Sequence, residues 1–151
     1  MTAGYKVVPT TTCDTCPPLD YLLVGGPDPM AFKLSDRFAD FIRAHAAANK
    51  VIFTTCTGAV VIAAAGILDG KNATVNHEAI PFIKNTFPNV KWDEKKQWVV
   101  DGNIWTASGA FAGADMIAHW VMENYAKEVY TLGFLALDFQ PRDVNRQQLV
   151  L

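Results

Sequence analysis

The chain has 151 residues, of which 50% are hydrophobic and 19% are charged. That length suits one domain with its own core, and that composition lies outside the range of disordered proteins. The formal net charge is −2, without the basic patch that is typical of nucleic-acid-binding proteins. We therefore expect residues 1–151 to form a single domain that has no nucleic acid partner.

The sequence contains no transmembrane or secretory signal. Its apolar stretches are shorter than the roughly 18 residues of a membrane-spanning helix, and Met1–Pro9 lacks a signal-peptide apolar region. This pattern predicts a cytoplasmic protein with no membrane partner. The three cysteines are an odd number, which cannot form a complete disulfide framework, so a reactive thiol is the favoured use of at least one.

Short aliphatic runs alternate with helical patterns, which is typical of βα units around a mostly parallel sheet. The first run, Tyr21–Val24, predicts a buried strand that ends in a glycine loop. Asp101-Gly102-Asn103 predicts a hairpin. The stretch from Thr57 to Leu68 is apolar on all sides, as expected of a central helix. The predicted strands are Tyr21–Val24, Val51–Phe53, Ala73–Val75, Gln97–Val100 and Ile104–Ala107, and the predicted helices lie between Ser35 and Asn49 and over Thr57–Leu68, Glu78–Phe87 and Gly113–Ala126.

The most informative segment is Val51–Gly58, where a predicted strand leads into Cys56 and an apolar helix begins one residue later. This order is typical of a nucleophile elbow, which projects its nucleophile free of both elements. The N–H groups and the positive dipole end of the helix favour the charged form of such a thiol. Gly58 allows a close backbone approach, whereas Thr54 stands at a position that is commonly glycine. The alternative is a small buried cysteine in a core strand.

The run TTCTGAVVIAAAGILDGKNATVNH, from Thr54 to His77, resembles the elbow and following helix of the ThiJ/PfpI family. This family is part of the class I glutamine-amidotransferase-like superfamily, and the resemblance is strongest to its isonitrile hydratase branch. Further blocks resemble that branch in the same order, so the similarity runs from about Val7 to Pro141. These blocks are Val8–Thr12, Cys16–Asp20, Gly25-Gly26, Trp98–Gly102 and Ser108–Met116.

The resemblance implies a flavodoxin-like three-layer α/β/α sandwich, with a mostly parallel sheet and one hairpin. It implies that Cys56 attacks an electrophilic carbon while backbone N–H groups of Gly25, Gly26 and Thr57 cradle the developing charge. Thr57 also stands where the hydratase branch carries Thr and the protease-like branch carries His. We expect neither a cofactor nor a metal.

The chain departs from the family pattern at its front. Family members open with a strand–helix–strand unit that supplies a Glu or Asp to the nucleophilic thiol, and we expect this unit to be lacking here. Asp28 and Glu78 are the nearest acids that stand in for it, although neither matches the family motif. A missing strand leaves an apolar sheet edge to cover, which favours a homo-oligomer, such as a dimer.

Three other features have both a functional and a structural interpretation. Cys13-Asp14-Thr15-Cys16 is a CxxC motif without a second ligand pair for zinc, so incidental loop thiols are favoured over a redox pair. His77 lies where hydratase-like members carry a pocket histidine, and a core role is equally favoured. Asp115 is interpreted as a first-turn acid that interacts with the helix dipole.

Two functional hypotheses follow. The first is an enzyme that adds water to, or hydrolyses, a small electrophilic substrate such as an isonitrile, through a thioimidate-like adduct on Cys56. An α-oxoaldehyde, as in the glyoxalase-like branch, is an equal candidate substrate. The second is a catalytically silent, oligomeric stress or redox-responsive member whose Cys56 is an oxidisable thiol.

Overall fold

The computed structural model describes residues 6–149, which form an α/β sandwich. Within this range a short 3₁₀ turn precedes the third helix, and two short strands lie apart from the main sheet. The elements in chain order are β1 (Tyr21–Val24), α1 (Asp36–Ala47), β2 (Val51–Thr55), α2 (Gly58–Ala64), β3 (Asn72–Ala73), the 3₁₀ turn (His77–Ala79), α3 (Ile80–Thr86), β4 (Lys91–Trp92), β5 (Trp98–Asp101), β6 (Ile104–Ala107), α4 (Ala110–Asn124) and α5 (Lys127–Ala136).

The main sheet has the strand order β1-β2-β6-β5. Its first three strands are parallel and β5 is antiparallel to β6, so the predicted mostly parallel sheet with one hairpin is confirmed. Gly102 at the hairpin tip has φ +63°, a conformation that glycine adopts without a steric penalty. A separate two-stranded parallel ladder joins β3 to β4.

Alternating residues of the central strands supply a core on each face of the sheet, as expected of a sandwich of three layers. Ile52 of β2 and Ile104 of β6 pack with α1, α2 and α3 on one face. Phe53 and Trp105, from the same two strands, pack with α4 on the other. Because β1, β2 and β6 are parallel, their carboxyl ends lie at the same edge of the sheet, from which the loops after β1 and β2 emerge.

Strand β1 has the predicted bounds, but the prediction that it is buried is wrong. Tyr21 is 48% exposed and Leu23 is 57% exposed, while Leu22 and Val24 pack against the core. The reason is its position, because β1 pairs only with β2 at the edge of the described sheet. Helix α4 contacts β2, β5 and β6 on this face and leaves Leu23 uncovered.

Local signals account for where several helices begin and end. Ser35 caps α1 by accepting from the Phe38 N–H, as the sequence predicts. Helix α2 ends at Ala64 rather than at the predicted Leu68, because Gly66 turns the chain with φ +81°. Pro81 lies in the first turn of α3, where its missing N–H removes no helical hydrogen bond.

In the carboxyl-terminal part of the chain, the structure corrects one expectation and adds one helix. Helix α4 begins at Ala110 rather than Gly113, so Asp115 lies beyond its first turn and pairs with Arg142 instead of the helix dipole. The apolar run after α4 forms α5, which the sequence analysis left unassigned. Within residues 6–149, no helix combines the length and the apolar character that a membrane crossing requires.

Candidate functional site

The turn between β2 and α2 has the backbone geometry of a nucleophile elbow. Strand β2 ends at Thr55, α2 begins at Gly58, and Cys56 between them has φ +55°. The left-handed region is unfavourable for a residue with a side chain, and such strain is common where a fold must present a reactive group. The strand, the strained cysteine and the helix thus follow one another as the sequence predicts.

Gly58 and Gly26 allow neighbouring backbone segments to approach this turn closely. A Cβ on Gly58 would lie 2.2 Å from the carbonyl oxygen of Val24, so only glycine lets α2 start against the end of β1. A Cβ on Gly26 would lie 3.3 Å from the Cβ of Cys56 and 2.8 Å from the Thr57 backbone nitrogen. The loop after β1 therefore lies directly against the elbow, whereas a Cβ on Gly25 would meet no atom within 4 Å outside its chain neighbours.

The Thr57 hydroxyl stabilises the contact between the loop after β1 and the start of α2. Its Oγ1 donates a 2.6 Å hydrogen bond to the carbonyl oxygen of Pro27, and Thr57 is buried. The hydroxyl makes no cap to its own helix. The Thr57 side chain is therefore engaged in holding the loop after β1 against the start of α2.

Asn76 contacts the elbow and was missed by the sequence analysis. Its backbone N–H donates to the carbonyl oxygen of Cys56 over 3.3 Å, and its side-chain oxygen accepts from the Glu78 N–H over 3.1 Å. Asparagine before a helical segment is a capping signal, which explains the second contact. Nothing in the local sequence indicates the first, because Asn76 and Cys56 belong to different segments.

A mainly apolar cavity of about 650 Å³ opens beside this turn. Thr57, Asn76 and Glu78 form part of its wall, although Cys56 itself is not a lining residue. The apolar part of the wall comes from the loop after β1, from α2 and from α3, and includes Met30, Phe32, Phe82 and Phe87. A small organic ligand with an apolar group fits such a site.

The two acids named from the sequence have different surroundings. The Asp28 carboxylate accepts from the Met30 N–H over 2.9 Å, which stabilises the loop after Gly25-Gly26. Glu78 lines the cavity together with Thr57. Glu78 is exposed, and within residues 6–149 its carboxylate has no hydrogen-bond or ion-pair partner.

The remaining candidate residues have contacts of their own. His77 begins the 3₁₀ turn, and its Nε2 lies 3.2 Å from the carbonyl oxygen of Lys96, before β5. Cys13 and Cys16 are free thiols in the loop before β1. Across the described range no group of three or more His, Cys, Asp or Glu side chains is placed to hold a metal ion.

Comparisons with known proteins agree with this geometry. The model of the DJ-1/PfpI family matches residues 1–123. The isonitrile hydratase of Pseudomonas putida is 34% identical over 91% of this chain and 60% of its own length. The crystal structure of a ThiJ/PfpI family protein from Pseudomonas syringae superposes with a TM-score of 0.74 at 29% identity, covering 93% of this chain and 58% of that one.

The expectation about partners is wrong in excluding nucleic acid. The HTH-type transcriptional regulator GbdR of Pseudomonas aeruginosa is 27% identical over 83% of this chain, which spans only 34% of the regulator. Helix-turn-helix is a DNA-binding motif. Because a relative of this chain is a much longer regulator, the charge of these 151 residues does not decide whether a protein of this kind acts on DNA.

Proposed function

The chain belongs to the DJ-1/PfpI family, and on that premise we propose that it is a cysteine-dependent hydratase domain for a small electrophilic substrate such as an isonitrile. The observation that carries this proposal is the strained Cys56 between β2 and α2, held against the Gly25-Gly26 loop. The 34% identity to an isonitrile hydratase supports the substrate class. Because the chain spans 60% of that relative's length, the activity is proposed for the protein and not carried over from the relative.

In the proposed reaction, the Cys56 sulfur adds to the terminal carbon of the isonitrile and a C–S bond forms. The same carbon takes up one proton, which gives a thioimidate. Water then adds to this carbon, the C–S bond breaks and the sulfur regains its proton. One isonitrile and one water give one formamide, so the reaction needs no oxidant and no cofactor.

The proposed reaction has two further requirements, a group that stabilises the developing charge and a group that transfers the proton. Backbone N–H groups of Gly25, Gly26 and Thr57 are our candidates for stabilising the negative charge on the tetrahedral adduct. We assign proton transfer to Glu78, because its unpartnered carboxylate shares the cavity wall with Thr57. The apolar side chains of that wall suit the organic group on the isonitrile nitrogen.

A second function is favoured by one specific observation, the 27% identity to a transcriptional regulator over most of this chain. In this alternative the cavity beside the elbow binds a small molecule without turning it over. The two functions differ in whether a bound ligand is consumed.

Turnover of a simple alkyl isonitrile to the formamide separates them. We expect the wild type to consume the isonitrile and Cys56→Ser to lose more than about a thousandfold of the rate, as other nucleophile removals do. Cys16→Ser is the matched control, since it makes the same substitution in the loop before β1 rather than in the elbow turn. Saturable ligand binding without product formation would instead support the regulator-like alternative, and an equal rate in Cys56→Ser would refute the hydratase.

A further inference from the structure

The CxxC motif before β1 has no part in the proposed hydratase reaction. We propose that Cys13 and Cys16 form a reversible dithiol–disulfide pair that exchanges with small disulfides. The motif immediately precedes the parallel β1–α1–β2 unit, a setting in which CxxC is typical of redox chemistry. The proposal rests on the shape of the turn, on the contacts that hold it and on the exposure of both thiols.

Backbone hydrogen bonds form a single helical turn that contains Cys13 and ends at Cys16. The carbonyl oxygen of Thr12 accepts from the Thr15 N–H over 3.2 Å and from the Cys16 N–H over 2.8 Å. These two bonds are those of one helical turn, in which residues three apart are side by side, roughly 5–6 Å between Cβ atoms. A disulfide requires about 3.5–4.5 Å between the two Cβ atoms, so the two cysteines need to move only slightly toward each other to form one. Pro17 directly after Cys16 ends the turn there.

Side-chain contacts hold this turn in place although its residues are mostly exposed. The Thr15 Oγ1 accepts from the Thr12 N–H over 3.1 Å and lies 3.0 Å from the hydroxyls of Thr11 and Thr12. The Asp14 carboxylate accepts from both Nε and Nη2 of Arg37 on α1. A turn that is ordered before oxidation loses less conformational entropy when the disulfide closes.

The exposure and surroundings of the thiols favour exchange over a structural role. Cys13 and Cys16 are both half-buried, so a small disulfide can reach them. The carboxylate between them is paired with a guanidinium, which reduces its repulsion of an attacking sulfur anion. A zinc site would need further ligands, and the described residues place none in a cluster with these two.

The exchange balances with a low-molecular-weight disulfide as the oxidant. The thiolate of one cysteine attacks the small disulfide, forms a mixed disulfide and releases one small thiol. The thiolate of the other cysteine then attacks the mixed disulfide and releases the second small thiol. The protein pair loses two electrons and two protons, and the small disulfide takes up both.

The test equilibrates the protein at defined ratios of reduced to oxidised glutathione, followed by acid quench, alkylation and intact mass with peptide mapping. In wild type and in Cys56→Ser we expect one internal Cys13–Cys16 disulfide, formed with one midpoint and without lasting glutathione on either of these two cysteines. Cys13→Ser and Cys16→Ser should each retain a mixed disulfide on the remaining cysteine. Thr15→Ala, which removes the hydroxyl contacts of the turn, should move the midpoint several-fold toward more oxidising ratios.

Several outcomes would overturn the proposal. These are glutathione bound separately to both cysteines of the wild type, a disulfide that joins Cys56 to either one, or disulfides only between chains. An unchanged midpoint in Thr15→Ala, with wild-type thermal unfolding, would show that the turn does not organise the pair. None of these measurements depends on isonitrile turnover, so the proposal stands or falls independently of the hydratase function.

Discussion

Gly26 lies so close to Thr57 that a Cβ on Gly26 would stand 2.5 Å from the Thr57 Oγ1 and 2.8 Å from its backbone nitrogen. The Thr57 backbone nitrogen cannot move without displacing the start of α2. We therefore expect Gly26→Ala to lower the free energy of unfolding by about 1–3 kcal/mol, the usual cost of overpacking. Urea unfolding measures this change.

Gly25→Ala is the matched control for Gly26→Ala. No atom outside its chain neighbours lies within 4 Å of a Cβ at Gly25. The same substitution one residue earlier should therefore change the unfolding free energy by less than about 0.5 kcal/mol. Equal losses in the two variants would show that the contact between this loop and the elbow is not tight.

The second prediction concerns the acid of the proposed hydratase. Glu78→Gln removes the one unpartnered carboxylate that the described cavity wall contains, and it should lower isonitrile turnover by about 10²- to 10⁴-fold, the contribution of a positioned general acid. The measurement is the rate at saturating substrate, with thermal unfolding to verify the fold.

Asp28→Asn is the control for this prediction. The asparagine retains the side-chain oxygen that accepts from the Met30 N–H, so the loop should keep its turn and the enzyme its rate. A large loss in Asp28→Asn together with full activity in Glu78→Gln would transfer the acid role to Asp28.

Much of the fold follows from local signals in the sequence. The strands β2, β5 and β6 and the hairpin at Gly102 lie where apolar runs and the Asp-Gly pair indicate them. The exposure of β1 could not be predicted, because a four-residue apolar run does not show whether neighbours cover both of its faces. The end of α2 was missed because Gly66 was not recognised as the residue that turns the chain.

The elbow was also predictable from local sequence signals, because the strand, the cysteine and the helix follow one another directly along the chain. The contacts that complete the site were not predictable, because they join distant residues. Thr57 donates to Pro27 thirty positions earlier, and Asn76 reaches Cys56 from another segment. Asp115 shows the same limit, because Arg142 lies 27 residues after it.

The third prediction tests that ion pair. Asp115 is 4% exposed, and its carboxylate accepts from the backbone N–H and the Nε of Arg142 over 3.0 and 2.9 Å. Arg142→Ala leaves a buried carboxylate without its cation, and because the Arg142 side chain is 40% exposed, the cost should lie between about 1 kcal/mol for an exposed pair and about 3–5 kcal/mol for a buried one. Calorimetric unfolding should show this loss, and Asp115→Asn added to Arg142→Ala should recover part of it.

Arg37→Ala makes the same substitution in an exposed pair. The side chains of Arg37 and Asp14 are 56% and 67% exposed, so the loss of this ion pair should lower the free energy of unfolding by less than about 1 kcal/mol. Equal destabilisation by the two alanine variants, or no recovery in the double variant, would contradict a buried-charge penalty at Asp115.

The last prediction is a pH dependence at the hairpin. Asp101 at the end of β5 accepts from the backbone N–H of Asn72 over 2.9 Å and from its side-chain amide over 3.0 Å, which ties β3 to the hairpin. The Asn72 backbone N–H, with help from its amide and from Lys71, holds the pKa of the Asp101 carboxyl below its usual range. The charged form is therefore favoured in the folded protein.

Because this pKa is lower in the folded state than in the unfolded chain, the stabilisation is present above the unfolded value of about 4. It is lost as the pH falls through the folded value. The difference in unfolding free energy between wild type and Asp101→Asn should thus be constant near neutral pH and shrink below about pH 4. Asp69→Asn, at an exposed position, controls for the loss of one carboxylate. A difference that grew on acidification would mean that folding raises the pKa of Asp101, contrary to the hydrogen bonds from Asn72.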